Sequence, residues 1–272
     1  MNTPSIKLAN NLEIPQVGLG LWKVKDDSDF RNAFRAAINV GYRHFDTAQA
    51  YNNEHLLGQE WKKTGLKREE LFITTKIFIT HFKSNSLQAS FKESLEKLGT
   101  DYVDLLLLHF PVPVLRKKAW LELEKINADG KAKSIGVSNY TVRHLKEMDN
   151  YANQKPAINQ VELNVFLQQP ELVKYCRDNN IQIEAYSPLA HGHLLDTPAI
   201  SEIAKKHNKT NAQIMLRWLA QQDFVLIPKS VNPKRIAENI NIFDFQLDND
   251  DLGLLTKQDL NKRFCWNPTR VP

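Results

Sequence analysis

The feature that most constrains this chain is an alternation. Short runs rich in leucine and β-branched residues, each ended by a polar break, give way to longer segments whose apolar residues recur every three or four positions. The first spacing suits a strand and the second an amphipathic helix. The runs fall at 16–19, 44–46, 71–76, 103–109, 134–138, 159–163, 181–186 and 225–228. Eight helix-like segments lie between and after them, the clearest at 84–98, where Leu87, Phe91, Leu95 and Leu98 share a face and Gly99 stands at the stop. Two helical stretches, 233–241 and 250–261, follow the last run. Ahead of the first, residues 6–15 read as a hairpin turning at Asn10-Asn11, a pair that tolerates positive φ.

Eight strand-then-helix units fit two architectures, an open doubly wound sheet or a closed barrel. Gly18-Leu-Gly20 is not followed by a third glycine, and no phosphate-binding loop of the G-x-x-x-x-G-K-[ST] type occurs. The expected fold is therefore α/β, a (β/α)8 TIM barrel with an N-terminal β-hairpin and a C-terminal helix. No linker or low-complexity tract divides the chain, so a single domain over 1–272 is expected. The net charge of +5 is dispersed, which argues against nucleic acid and suits a small anionic ligand. Cys176 and Cys265 are far apart, giving neither a disulfide scaffold nor a zinc ribbon. No apolar stretch approaches a membrane span and the first residues lack the pattern of a signal peptide, so a cytoplasmic protein with no membrane partner is expected.

A barrel makes a demand on function, because its active sites sit at the C-terminal ends of the strands. Asp46 ends the second run, Lys76 the third and His109 the fourth, with Tyr51 in the loop after Asp46. Any one of these alone is ordinarily a loop residue or a mouth salt bridge. Together they have a chemistry. Adjacent strands would pair Asp46 with Lys76, and the ammonium would favour the phenolate of Tyr51, whose unperturbed pKa of about 10 is high for proton exchange near neutrality. His109 could hydrogen-bond the same substrate oxygen, and two such donors stabilise the charge that develops there when a carbonyl is reduced.

Four phrases carry a resemblance. Asp46-Thr-Ala-Gln-Ala-Tyr51-Asn-Asn-Glu54, Leu105-Leu-Leu-Leu-His109-Phe-Pro-Val-Pro113, Ile135-Gly-Val-Ser-Asn139 and Ile227-Pro-Lys-Ser-Val-Asn-Pro-Lys-Arg235-Ile-Ala-Glu-Asn239 occur in an order that resembles the aldo-keto reductase family. The likeness runs from about Leu8 to Phe264. It implies a catalytic tetrad with Tyr51 as the acid, Lys76 and Asp46 tuning it, and His109 orienting the carbonyl. It also implies NADPH/NADP+ as cofactor. Ser138, Asn139 and Gln160 match residues that hydrogen-bond the nicotinamide carboxamide, and Tyr186 matches the aromatic on which the ring stacks. Gly20, Leu21 and Trp22, with Ser187 and Leu189 in the loop over the pyrophosphate, complete that side. Lys229, Ser230 and Arg235 match positions at the adenosine 2′-phosphate, where barrels often bind phosphate, and Glu238 and Asn239 match positions at the adenine.

The substrate implied is a small-molecule carbonyl, an aldehyde, ketone or dicarbonyl, in an apolar mouth lined by Trp22, Phe78, His109, Phe110 and Trp266. The chain departs from the common pattern at Leu21, at Phe78 and Phe110 where Trp is frequent, at Asn164-Val165-Phe166, and at Ala190 where Gly is common. These positions bear on substrate preference and on the cofactor loop. The short C-terminal segment after Asn261 fits an open pocket, and relatives of this length are often monomers. His191-Gly-His193 has no further ligand at zinc spacing, so no metal is expected. Two other readings remain: a Schiff-base aldolase using Lys76, and an NADPH-binding accessory or sensing protein with little turnover.

Overall fold

The computed structural model describes residues 3–272. Its first element is the expected hairpin, β1 (Ser5–Lys7) paired antiparallel with β2 (Glu13–Pro15). Of the two asparagines at the turn only Asn11 takes a positive φ, 66°, while the Leu8 amide donates to the Leu12 carbonyl. A single left-handed residue therefore closes a three-residue loop.

Eight parallel strands follow: β3 (Leu19–Gly20), β4 (His44–Asp46), β5 (Phe72–Ile77), β6 (Val103–Leu108), β7 (Ala132–Ser138), β8 (Ile158–Glu162), β9 (Gln182–Tyr186) and β10 (Val225–Leu226). They pair in sequence order, each with the next, as in a TIM barrel. The sheet closes on itself through the backbone. Val17 bridges Leu226 in parallel, the Gly18 amide donates to the Leu226 carbonyl at 2.8 Å, the Leu226 amide to the Gln16 carbonyl at 2.8 Å, and the Gly20 amide to the Pro228 carbonyl at 3.1 Å. This seam explains why the first barrel strand is shorter than the 16–19 run predicts. Its early residues bond to the far edge of the sheet, and the pairing with β4 begins only at Leu19 and Gly20.

Helices α1 (Asp27–Asn39), α2 (Glu54–Trp61), α3 (Ser84–Leu98), α4 (Arg116–Ala128), α5 (Val142–Met148) and α6 (Pro170–Asp178) follow β3 to β8 in turn. Two helices, α7 (Pro198–His207) and α8 (Asn211–Ala220), connect β9 to β10, and α9 (Pro233–Ile240) and α10 (Asn249–Thr256) end the barrel. Ten α-helices among the described residues thus exceed the eight helix-like segments of the sequence. The long 187–224 connection splits at Asn208, left-handed at φ 52°, and restarts at the Thr210 capping box. The final helix stops at Thr256, five residues before the stretch read from the sequence.

Alternation along each strand separates two cores. Leu106 and Leu108 of β6 join the large cluster between sheet and helices, whereas Leu105 and Leu107 point inward. There they meet Phe72, Ile158 and Val225 from the strand beginnings, with Leu8 and Ile14 of the hairpin closing that end. The apolar filling occupies one end of the barrel. Nearer the other end the inward positions turn polar, with His44, Asp46, Thr74, Lys76, Gln160 and Glu184 all buried.

Gly136 of β7 keeps the wall thin at this level. A Cβ there would lie 2.6 Å from the Ile158 carbonyl oxygen and 2.8 Å from Leu107 Cδ2. Gly136→Ala should therefore destabilise the barrel by about 1–3 kcal/mol, the usual cost of overpacking, read as a fall in the urea midpoint at unchanged slope.

Candidate active site

The barrel brings the predicted tetrad together. Lys76 Nζ lies 2.6 and 2.8 Å from the two Asp46 carboxylate oxygens, 2.9 Å from the Thr47 carbonyl and 3.3 Å from Tyr51 Oη. Three donor protons thus meet Asp46, a backbone carbonyl and the phenol. Burial alone would push the ammonium down, but Asp46 and Tyr51 carry Lys76 above its ordinary value. Burial likewise raises the Asp46 carboxyl, opposed by Lys76 and by the Gln160 amide. The pair is ionic at neutral pH, and Lys76 has no free amine to attack a carbonyl. That removes the feature a Schiff-base aldolase requires.

Tyr51 corrects one sequence expectation. Lys76 does favour its phenolate, yet burial acts more strongly and Asp46 adds to it, so the phenol is pushed up to about 12. Tyr51 is therefore a fully protonated donor at rest. Because Lys76 donates to the phenolic oxygen, the Tyr51 O–H remains available to a further acceptor. Its ring stands edge-on to His109 at 5.8 Å between centroids.

His109 is buried, and burial followed by the charge of Lys76 pushes its imidazole down to about 3. Nδ1 is buried with no hydrogen-bond partner. A buried N–H without an acceptor costs more than a buried lone pair, so the proton belongs on Nε2, a neutral donor beside Tyr51.

Two residues to which the sequence reading gave no role hold the Tyr51 loop. Asn53 accepts from the Thr47 hydroxyl at 2.6 Å and donates to the Leu21 and Val24 carbonyls, both at 2.9 Å. Gln49 accepts from the Phe78 amide at 2.8 Å and donates to the Ser90 carbonyl at 3.1 Å. Both lie within the Asp46 to Glu54 phrase. Their only signal was an amide side chain in that short loop, and their partners lie on distant elements.

The remaining expected residues line one rim. Ser138 donates to the Gln160 carbonyl, and Asn139, left-handed at φ 66°, donates to the His109 carbonyl and to Ser138 Oγ. Tyr186 is tied by its hydroxyl to Asn139 Oδ1 at 2.7 Å, which fixes the ring on the wall. Gln160 donates from Nε2 to Asp46 and to Glu184, each at 2.8 Å. Gly20 sits at the seam, where a Cβ would meet the Ile227 carbonyl at 2.8 Å. Leu21 is buried and Leu189 half-buried. Ser187 and Ala190 both adopt positive φ, 47° and 48°, so the loop after β9 keeps a left-handed turn at Ala190 without glycine.

The exposed Lys229 and Arg235 make no ion pair among the described residues, and Ser230 accepts from the Asn232 amide. The first-turn amides of α9 are less open than a bare helix start. Asn232 Oδ1 accepts from the Lys234 and Arg235 amides, so an anion here would meet side chains. Glu238 accepts from Thr210, and Asn239 is buried beneath. Phe78 stands against His109 at 6.1 Å and Phe110 against Trp266 at 6.1 Å. Trp22 joins a different group, meeting His191 at 5.5 Å and Lys23. His191 also lies 3.0 Å from Cys265 Sγ, while His193 stacks on Phe264.

Residues 16–259 match the family model described as Aldo/keto reductase family. A glyoxal reductase of Bacillus subtilis (strain 168) is 44% identical over 98% of this chain and 97% of its own length. The methylglyoxal reductase DkgA of Escherichia coli (strain K12) is 41% identical over 98% of each. Among solved structures, an aldo-keto reductase from a Medee basin deep-sea metagenome superposes with a TM-score of 0.95, at 41% identity, covering 98% of this chain and all of the other. A Bombyx mori aldo-keto reductase in complex with NADP gives 0.92 at 34% identity, covering 97% of this chain and 95% of the other.

The buried ion pair sets a stability prediction. Lys76→Met leaves Asp46 uncompensated and should cost about 3–5 kcal/mol in urea unfolding, whereas Asp46→Asn combined with Lys76→Met should cost clearly less than the sum of the single losses.

Proposed function

The chain belongs to the aldo/keto reductase family, and we propose from that premise that it reduces small aldehydes, ketones or dicarbonyls with NADPH, Tyr51 giving the proton. The observation that carries the reading is the contact of Lys76 Nζ with both the Asp46 carboxylate and Tyr51 Oη. The cofactor fits the residues present. Lys229 and Arg235 are cations without an ion-pair partner among the described residues, and the planar guanidinium suits an adenosine 2′-phosphate that NADH lacks. Gln160 Oε1, which no described residue donates to, offers an acceptor to a carboxamide. When bound, NADPH supplies the hydride to the carbonyl carbon.

The chain's own part is to manage the oxygen. Neutral His109 donates from Nε2 to the carbonyl oxygen and orients it. Tyr51 donates its O–H to the same oxygen. As negative charge grows there, the phenol yields its proton, and the phenolate left behind is stabilised by the Lys76 ammonium already in contact with it. Asp46 keeps that ammonium charged and aimed. Phe78, Phe110 and Trp266 surround the substrate with apolar surface, which suits short uncharged carbonyl compounds such as glyoxals. The protein is proposed to work as a cytoplasmic monomer, and no helix among the described residues is long and apolar enough to cross a membrane.

Two variants test the assignment, with NADPH oxidation followed by absorbance. Tyr51→Phe should lower kcat with methylglyoxal by about 10²–10⁴-fold while NADPH affinity, read by fluorescence quenching, changes little. Equal turnover in the variant would overturn the acid assignment. Arg235→Met should weaken NADPH roughly ten- to hundredfold and leave NADH nearly unchanged, the loss expected for hydrogen bonds between charged groups.

A further inference from the structure

Beneath the tetrad lies a buried carboxyl with no part in the chemistry so far. Glu184 projects from β9 into the barrel and is fully buried. Its Oε2 accepts from Gln160 Nε2 at 2.8 Å, and the same nitrogen donates to Asp46 Oδ2 at 2.8 Å. One amide nitrogen thus spends both hydrogens on two carboxyl groups. A flipped amide would set its carbonyl oxygen against the Asp46 carboxylate, so the orientation is fixed by chemistry, and Oε1 is the only atom of the amide left uncommitted.

The protonation of Glu184 follows from its other side. Glu184 Oε1 makes no hydrogen bond and lies 3.4 Å from His44 Nε2. His44 Nδ1 faces the Pro15 carbonyl at 3.3 Å, and a ring nitrogen facing a carbonyl must carry the proton. Nε2 therefore presents a lone pair, to which the Thr74 hydroxyl also points at 3.3 Å. A carboxylate oxygen there would face a lone pair, whereas a protonated one faces an acceptor. Burial first, then the charge of Asp46, pushes the Glu184 carboxyl up to about 8, against Gln160 and Lys76. Burial pushes His44 down to about 3.

We propose that Glu184 is a positioning residue, a neutral carboxylic acid that with Asp46 locks the Gln160 amide so that Oε1 accepts from the nicotinamide carboxamide. The inference rests on NADPH being the cofactor. It carries a pH dependence, because the groups acting on or acted on by Glu184 are His44 and Asp46 on β4, Lys76 on β5, Gln160 on β8 and Tyr51 in the loop after β4, while its β10 register partner is the uncharged Val225. Loss of the Glu184 proton would place a second anion beside Asp46 and raise Tyr51 further, making proton donation harder. The rate should fall as pH rises through about 8, the value for Glu184.

Two substitutions separate the roles. Glu184→Gln keeps an acceptor for Gln160 and a donor for His44 but cannot ionise, and Glu184→Met fills the space with no acceptor. The readouts are NADPH binding by fluorescence quenching, the pH profile of kcat, and the carboxylic-acid C=O stretch in the infrared spectrum of the cofactor-free protein. Glu184→Gln should bind NADPH as the wild type does at pH 7, lose the alkaline fall in rate, and lose one acid C=O band. Glu184→Met should bind NADPH about three- to tenfold more weakly, the scale of one hydrogen bond. An alkaline fall unchanged in Glu184→Gln, or no acid band lost, would overturn the proposal even if Glu184→Met fails to fold. Wild-type protein that does not bind NADPH would instead defeat the cofactor reading on which it rests.

Discussion

Closure of the sheet by backbone hydrogen bonds between residues 16–20 and 226–228 is the constraint on which the rest depends. It gives each strand two neighbours and shuts water out of the interior. Only inside such a wall can Lys76, fully buried, be held charged against one carboxylate. A buried ion pair is in general a weak source of stability, since apolar pairs of similar size often serve as well or better. Its consequence is an ammonium fixed in contact with Tyr51 in a medium too poor in water to screen it.

The polar layer above the apolar end of the barrel works as one unit. A chain of contacts runs from the Pro15 carbonyl through His44, Glu184, Gln160 and Asp46 to Lys76 and Tyr51. Burial acts first on each titratable member, and its neighbours in the chain then shift it further or oppose that shift. His44 and His109 stay neutral because burial disfavours their cations. Both are depressed below the ordinary histidine value, so the unfolded chain takes up more protons, and stability held above about pH 6.5 is lost as pH falls toward 3. Glu184 acts in the opposite sense. Its raised value means that the folded chain keeps a proton the unfolded one has given up, so this contribution is full below about pH 4.5 and is lost progressively as pH rises to about 8.

Rigidity around the site comes from residues that do no chemistry. Asn53 and Gln49 tie the Tyr51 loop to the segment after β3 and to α3. Glu162, buried at the end of β8, accepts from the Phe264 and Cys265 amides at 2.7 and 3.2 Å. That contact anchors the segment carrying Trp266 over Phe110. Backbone contacts of this kind leave the exposed ring of Trp266 free to be exchanged without loss of the anchor.

The sequence by itself determined the number and order of the eight barrel strands, the helix at 84–98 with its Gly99 stop, and the placing of Asp46, Lys76 and His109 at strand ends. Each follows from local periodicity or from a residue type next to an apolar run, and neither needs a distant partner. Only the tertiary structure decided the seam that shortened the first strand, the split of the 187–224 connection into two helices, and the protonation of the site. The expected fall in the Tyr51 pKa shows why. Its sign rests on the balance between a neighbouring ammonium, which the sequence names, and desolvation by a closed barrel, which no stretch of the chain contains. Glu184 was illegible for the same reason, since its partners come from β4 and β8 and meet only when the sheet closes.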